Sequence, residues 1–130
     1  MADKDENQIA FMQAEIQYAL KTITSGLLIN GGAAVAVLTI LGSFVEAKVA
    51  INCFFLWSLK FFAAGVFASA ASSGFSYISQ YYYHLDYVGM EKKKVADGWK
   101  YGAIGAIAVG FICFIIGVCF ASYAFSLVKI

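Results

Sequence analysis

Residues 22–45 read TITSGLLINGGAAVAVLTILGSFV, 24 residues between Lys21 and Glu46 without one charged side chain. A helix needs roughly 20 apolar residues to cross a hydrocarbon core about 30 Å thick, so this stretch is long enough to span a bilayer. Two more stretches pass the same test. Residues 61–85, between Lys60 and Asp86, hold 25 positions interrupted only by His84, and residues 101–128, between Lys100 and Lys129, hold 28. A fourth uncharged interval, 49–59, has only 11 residues; at about 1.5 Å per residue it reaches roughly half the core. It reads as an interfacial lead-in to the second span, with Phe54, Phe55 and Trp57 suited to an aromatic belt at headgroup level.

The expected fold is an all-α membrane protein: three transmembrane helices, an amphipathic N-terminal helical extension, and a homo-oligomeric bundle as the assembly. The expected divisions are an amphipathic helix over 5–20, a first span over 22–44, the interfacial segment plus second span over 49–83, a cytoplasmic linker over 84–100 and a third span over 101–128. Composition agrees. The chain has 130 residues, room for one domain, and is 62% hydrophobic and 13% charged, where soluble domains carry about a quarter charged. A net charge of +1 weighs against a general nucleic-acid binder. With no proline in the chain, no helix should carry a proline kink. Cys53, Cys113 and Cys119 lie in apolar segments without metal-ligand spacing and read as small hydrophobes. No cofactor is expected. The start MADKDEN is acidic where a secretory signal begins basic, so the first span reads as a retained anchor.

Within the helices the pattern concerns packing. Ile9, Met12, Ile16, Ala19 and Ile23 recur at alternating steps of three and four, a heptad seam or the apolar face of a helix lying on the membrane. The same register continues through Gly26, Asn30, Ala33, Val37, Ile40 and Phe44. Membrane helices associate through small residues and interhelical polar contacts, because lipid offers no hydrophobic drive. Gly65, Ser69 and Ser73 repeat at four-residue steps in the second span, as do Ala64, Ala68 and Ser72, and Gly102, Ala106 and Gly110 do so in the third. Gly26, Asn30, Ala33, Ser69 and Ser73 are accordingly the candidates for a pore lining or an oligomer interface. Asn30, with Thr22, Thr24, Ser25 and Thr39, has the chemistry of a polar pathway. A plain interhelical hydrogen bond explains the same amide.

Orientation follows from lysine counts, since every positive charge is lysine. The N-terminus and the 84–100 linker share Lys4, Lys21, Lys92, Lys93, Lys94 and Lys100, against Lys48, Lys60 and Lys129 opposite. That excess favours a cytoplasmic N-terminus and an exported C-terminus. Lys92, Lys93 and Lys94 are also candidates for anion binding. Contact with anionic lipid is worth about 1 kcal/mol per lysine; the alternative is a cytoplasmic regulator, whether nucleotide, oligonucleotide or the acidic patch of a protein.

No catalytic constellation is present. His84 sits beside Asp86 and near Tyr87, but no nucleophile or second ligand accompanies it, and interfacial anchoring explains it. An enzyme is not expected.

The run Leu27-Leu28-Ile29-Asn30-Gly31-Gly32-Ala33-Ala34, with Tyr77-Ile78-Ser79-Gln80-Tyr81 closing the second span, resembles small bacterial inner-membrane proteins from mobile-element and antiphage-defence loci, including the channel effector of Hailong-type systems. The resemblance covers most of the chain through short, generic motifs. It implies a homo-oligomeric channel, restrained by a partner nucleotidyltransferase, that opens on infection and depolarises the cell. Three helices do not enclose a conduit alone, so a channel requires several copies. The leading expectation is thus an oligomeric channel or pore. The alternative is a non-conducting scaffold or accessory subunit. A holin-like lysis protein comes third, because the end Ser126-Leu127-Val128-Lys129-Ile130 lacks a basic tail.

Overall fold

The computed structural model describes residues 2–47 and 51–128, with side chains from Gln13 onward except Glu15. It is all helix: α1 (Ala2–Glu46), α2 (Cys53–Leu85) and α3 (Lys93–Ser126). All three are long and apolar enough to cross a membrane. The N-terminal extension and the first span form one continuous α1 of 45 residues, about 68 Å at 1.5 Å per residue. That is more than twice the hydrocarbon thickness, so part of α1 must lie outside the core. The expected seam residues Ile9 and Met12 lie outside the described side chains.

The core is a set of interlocking seven-residue repeats. On α2 the inward positions are Phe55, Ser58, Phe62, Gly65, Ser69, Ser72 and Ser79, separated mostly by alternating steps of three and four. On α3 they are Ala96, Ala103, Gly110, Gly117 and Ala124, a small residue at every seventh position. Such a period keeps one face against a partner along the whole helix. Hydrogen bonds fix the antiparallel register: Ser79 donates to the Ala96 carbonyl at 2.9 Å and Ser72 to the Ala103 carbonyl at 2.8 Å. Further along, the Phe62 ring lies over Gly117, where an added Cβ would stand 2.5 Å from it. This pattern differs from the four-residue stripes read in the sequence: Ala64 and Ser73 turn outward, while Ser72 turns inward. A four-residue step drifts around a helix of 3.6 residues per turn, whereas alternating three and four holds one face.

α1 lies against this hairpin through Ile23, Gly26, Asn30, Val37 and Leu41, all buried. At the far end Val37, Leu41, Phe55, Phe62 and Ala124 form an apolar cluster. Phe55 meets Phe44 and Phe125 edge-on at 5.6 and 5.0 Å. The headgroup belt expected of Phe54, Phe55 and Trp57 is therefore divided. Phe55 is fully buried, because it shares the inward face with Ser58 and Phe62. Phe54 stacks on Phe120 at 6.0 Å, and only Trp57 is left exposed, its ring covered by the Lys60 ammonium at 4.6 Å.

The connections are short. Asn52 caps α2, its side-chain oxygen accepting from the Phe54 amide at 3.2 Å, a preferred cap chemistry. At the other end α2 unwinds through a wide turn over Asp86–Met90, with Gly89 at φ 92° and Glu91 at φ 47° reversing the chain. The Gly89 conformation is one that L side chains rarely adopt. Asp86 then accepts from the Lys93 amide at 2.9 Å, satisfying an orphan donor at the start of α3. The expected 84–100 linker is thus mostly helix, since α3 already begins at Lys93. Ser79 to Ala96 and Tyr83 to Asp97 tie the two helices together in this region, so little loop remains.

Polarity is inverted relative to a soluble protein. Asn30, Ser58, Ser69, Ser72 and Ser79 are buried, while Phe67 and Leu28 are 77% and 70% exposed. Exposed bulky apolar residues with small and polar ones inside are what helices in lipid require.

A core this close at glycine should reject branching there. Gly117→Val, which drives into Phe62, is expected to lower stability in detergent by about 1–3 kcal/mol, the usual cost of overpacking. A Cβ added at Gly105 meets nothing within 4 Å, and Gly105→Val should be near neutral. Thermal melts that rank the two equally, or in reverse, would contradict the packing.

Candidate functional site

A polar node deep in the fold is built around Asn30. Its position follows from the α1 register, seven residues from Ile23 and seven from Val37 on the inward face. Nδ2 donates to the Gly26 carbonyl one turn back at 2.9 Å and across to the Gly110 carbonyl of α3 at 3.2 Å. The amide therefore bridges α1 and α3 through a residue 80 positions away. Oδ1 is the only buried side-chain polar atom among the described residues without a hydrogen-bond partner. It points at Gly65 of α2, where an added Cβ would overlap it. The oxygen thus faces a Cα–H group, a weak contact that recurs at helix interfaces and is worth about 0.5–1 kcal/mol.

Glycine and serine make this approach possible. A Cβ on Gly26 would stand 2.7 Å from Ser69 Oγ and one on Gly110 2.9 Å from the same atom. Ser69 turns its own hydroxyl back to the Gly65 carbonyl at 2.9 Å. Gly26, Asn30, Gly65, Ser69 and Gly110 thus form one three-helix crossing inside a single chain.

Of the five candidates for a pore or interface, Gly26, Asn30 and Ser69 come together here, buried. Ala33 is half-buried and packs against the Val37–Phe55–Phe62 cluster. Ser73 stands apart, exposed on α2. Gly65 and Gly110 appeared in the sequence only as members of small-residue stripes; no sequence signal marked them as partners of Asn30, because that pairing depends on tertiary register. The hydroxyl residues grouped with Asn30 do not share its face. Thr22, Thr24, Ser25 and Thr39 are all exposed. Thr22 and Thr39 satisfy themselves by donating to the Tyr18 and Val35 carbonyls, each at 2.9 Å. With Gly32 and Ser43, also exposed, Ser25 and Thr39 form an outward stripe of small and hydroxyl residues on α1. Leu28, Val35 and Leu38 are exposed beside this stripe, and on α3 Ile104, Val109, Ile112, Ile115 and Val118 are exposed.

Lys92 immediately precedes α3, and Lys93 and Lys94 open it; all three are exposed. Cations are unfavourable at a helix N-terminus, which already carries partial positive charge. The two effects add, offset in part by Glu91 beside the lysines and by Asp86, which accepts from the Lys93 amide. His84 is exposed, and no cluster of three or more metal-ligating side chains occurs among the described residues.

Fold and node together define a polytopic α-helical membrane protein with a packed, polar-centred three-helix unit. No family model matches the chain, and neither a curated protein nor a solved structure matches it.

If Asn30 and Gly65 are in contact, their substitutions must couple. Gly65→Ala alone pushes into Oδ1 and should destabilise, whereas in an Asn30→Ala background the same change meets a smaller neighbour. A double-mutant cycle on thermal stability should give an interaction energy of about 1 kcal/mol or more, within the range for contacting residues. Additive effects would separate the two side chains.

Proposed function

We propose that the chain is a subunit of a homo-oligomeric membrane channel whose conduit lies between copies and not within one. The observation that carries this reading is the contrast between outward faces. α3 presents Ile104, Val109, Ile112, Ile115 and Val118, whereas α1 carries, beside its exposed Leu28, Val35 and Leu38, a narrow stripe of Ser25, Gly32, Thr39 and Ser43 turned away from its own bundle. Small and hydroxyl residues favour close helix contact or a wet surface, and copies meeting through α1 give both. The interior of one chain is filled by the Asn30 crossing and leaves no path. Asn30, Gly26 and Ser69 therefore serve as the rigid support of the lining helix in this proposal.

The alternative is a non-conducting scaffold or accessory subunit, in which the same α1 stripe contacts another membrane helix. Two finer proposals accompany the channel. The lysine excess supports an inner-membrane orientation with the N-terminus and Lys92–Lys94 cytoplasmic and the C-terminus outside. The exposed lysine turn is then available to an anionic regulator. The resemblance to antiphage-defence effectors adds the proposal that opening depolarises an infected bacterial cell. Reporter fusions at residues 1, 92 and 130 test the orientation, and a cytoplasmic signal from residue 130 would overturn it. A potential-sensitive dye during phage challenge tests the defence role, which an unchanged potential would remove.

The channel is tested in planar bilayers with a variant whose native Cys53, Cys113 and Cys119 are replaced by serine. Conductance is expected, and thiol modification of Thr39→Cys should reduce it several-fold. Modification of Ile112→Cys, on the outward face of α3, should not. Absence of conductance from correctly assembled protein would leave the scaffold reading. Block through Ile112→Cys and not Thr39→Cys would transfer the lining to α3.

A further inference from the structure

A cleft of about 900 Å³ lies between α1 and the α2–α3 hairpin. Its depth can be read from the helix registers. Contacts of Gly26 with Ser69 and of Asn30 with Gly65 set α1 against α2, and the Ser72–Ala103 and Ser79–Ala96 bonds set α2 against α3. Followed along, they bring Lys21 and Lys100 to nearly one level, beside Gly74 and Phe75. The uncharged stretches of α1 and α3 start there, with Trp99 packed on Phe75 at 5.4 Å and Tyr77 and Tyr101 exposed around it. A ring of lysine and aromatic residues marks a membrane–water boundary. The cleft is walled by residues 76–87 of α2 and its turn and by 100–104 of α3, so it lies on the water side of that level and opens into the membrane beside Ile104.

Its walls are of two kinds. Ile16 and Ala19 of α1 and Ile104 of α3 supply an apolar side; Gln80, His84 and Lys100 supply hydrogen-bond donors. Asp86 is the acidic group on the lining, and its carboxylate is engaged by the Lys93 amide, at the positive end of α3. Lys92, Lys93 and Lys94 raise the local potential further. An inorganic anion would leave the apolar wall unused, and a hydrocarbon would leave the donors unused. A phosphate carried on acyl chains uses both, as basic pockets between transmembrane helices do.

We propose that this cleft is a binding site for an anionic phospholipid, with the phosphate held by Lys100, reaching outward, and by Gln80 and His84 of the same lining, the glycerol against Ile16 and Ala19, and the chains passing Ile104 into the core. The lipid wedges α1 against the hairpin at the end where, among the described residues, no buried polar crossing joins them. The inference rests on membrane embedding and not on conduction.

The test is native mass spectrometry of the full chain in detergent, titrated with phosphatidylglycerol, phosphatidylcholine or soluble glycerol phosphate. Phosphatidylglycerol is expected to be retained at least five-fold better than phosphatidylcholine. Lys100→Gln should remove that preference and Lys100→Arg should keep it. Ala19→Trp, which fills the cleft without changing charge, should reduce retention of both lipids. A triple Lys92, Lys93, Lys94→Gln variant should retain most of the preference. Equal retention of the two lipids would overturn the proposal, as would a preference unaffected by both Lys100→Gln and Ala19→Trp. Glycerol phosphate binding as tightly as the lipid would reduce the cleft to an anion site and equally overturn it.

Discussion

The whole arrangement depends on how closely α2 and α3 approach. In lipid there is no hydrophobic gain from bringing apolar helices together; what remains is packing contact and interhelical hydrogen bonding. Both grow as backbones near each other. Ala96, Ala103, Gly110, Gly117 and Ala124 leave α3 with almost no side-chain bulk on its inward face, so serines of α2 reach its backbone carbonyls directly. Any larger residue at one of these positions would separate the helices over more than one turn and break the serine contacts with them.

Asn30 is placed by that approach. Its amide needs the Gly110 carbonyl within 3.2 Å and space over Gly65, and neither exists unless the hairpin is already tight. Burying an amide in this environment costs unless it is bonded, and here one of its two polar atoms is well bonded and the other faces only a Cα–H. The node therefore specifies register more than it adds stability: a shift of α1 by one residue would leave Nδ2 without Gly110 and Oδ1 against a Cβ. The consequence for function is a firm single-chain unit whose adaptable surfaces are outside, on the outward stripe of α1 and in the cleft near Lys100.

The three spans were legible because uncharged length is a one-dimensional property; counting from Lys21 to Glu46 needs no partner. The α1 seam through Ile23, Gly26, Asn30 and Val37 was legible for the same reason, as a period along one helix. What the seam faces was not. Asn30 satisfies the same period whether it meets its own α3 or a second copy, and Gly110 lies 80 residues on. The small residues of α2 and α3 were visible, but four-residue stripes and seven-residue repeats share members such as Gly65, Ser69 and Gly110, and only tertiary register separates them. The inward position of Phe55 is not legible, because aromatic composition near a span end does not say which side of the helix faces inward. The α2–α3 turn was read as long because its lysines are polar; that Lys93 to Lys100 are nonetheless helical follows from the contacts of Ser79 and Tyr83 with α3.

The central claim is that the serine and small-residue repeats join α2 to α3 of the same chain. Ser72 and Ala103 are adjacent across that seam, the serine oxygen 2.8 Å from the alanine carbonyl. The most direct measurement is oxidative cross-linking in native membranes of a chain with cysteine at 72 and 103 and its own three cysteines replaced by serine. The expected result is a rapid disulfide within one chain, seen as a faster-migrating monomer and independent of expression level. A disulfide formed only between chains, or none while cysteines at 72 and 110 do cross-link, would contradict it.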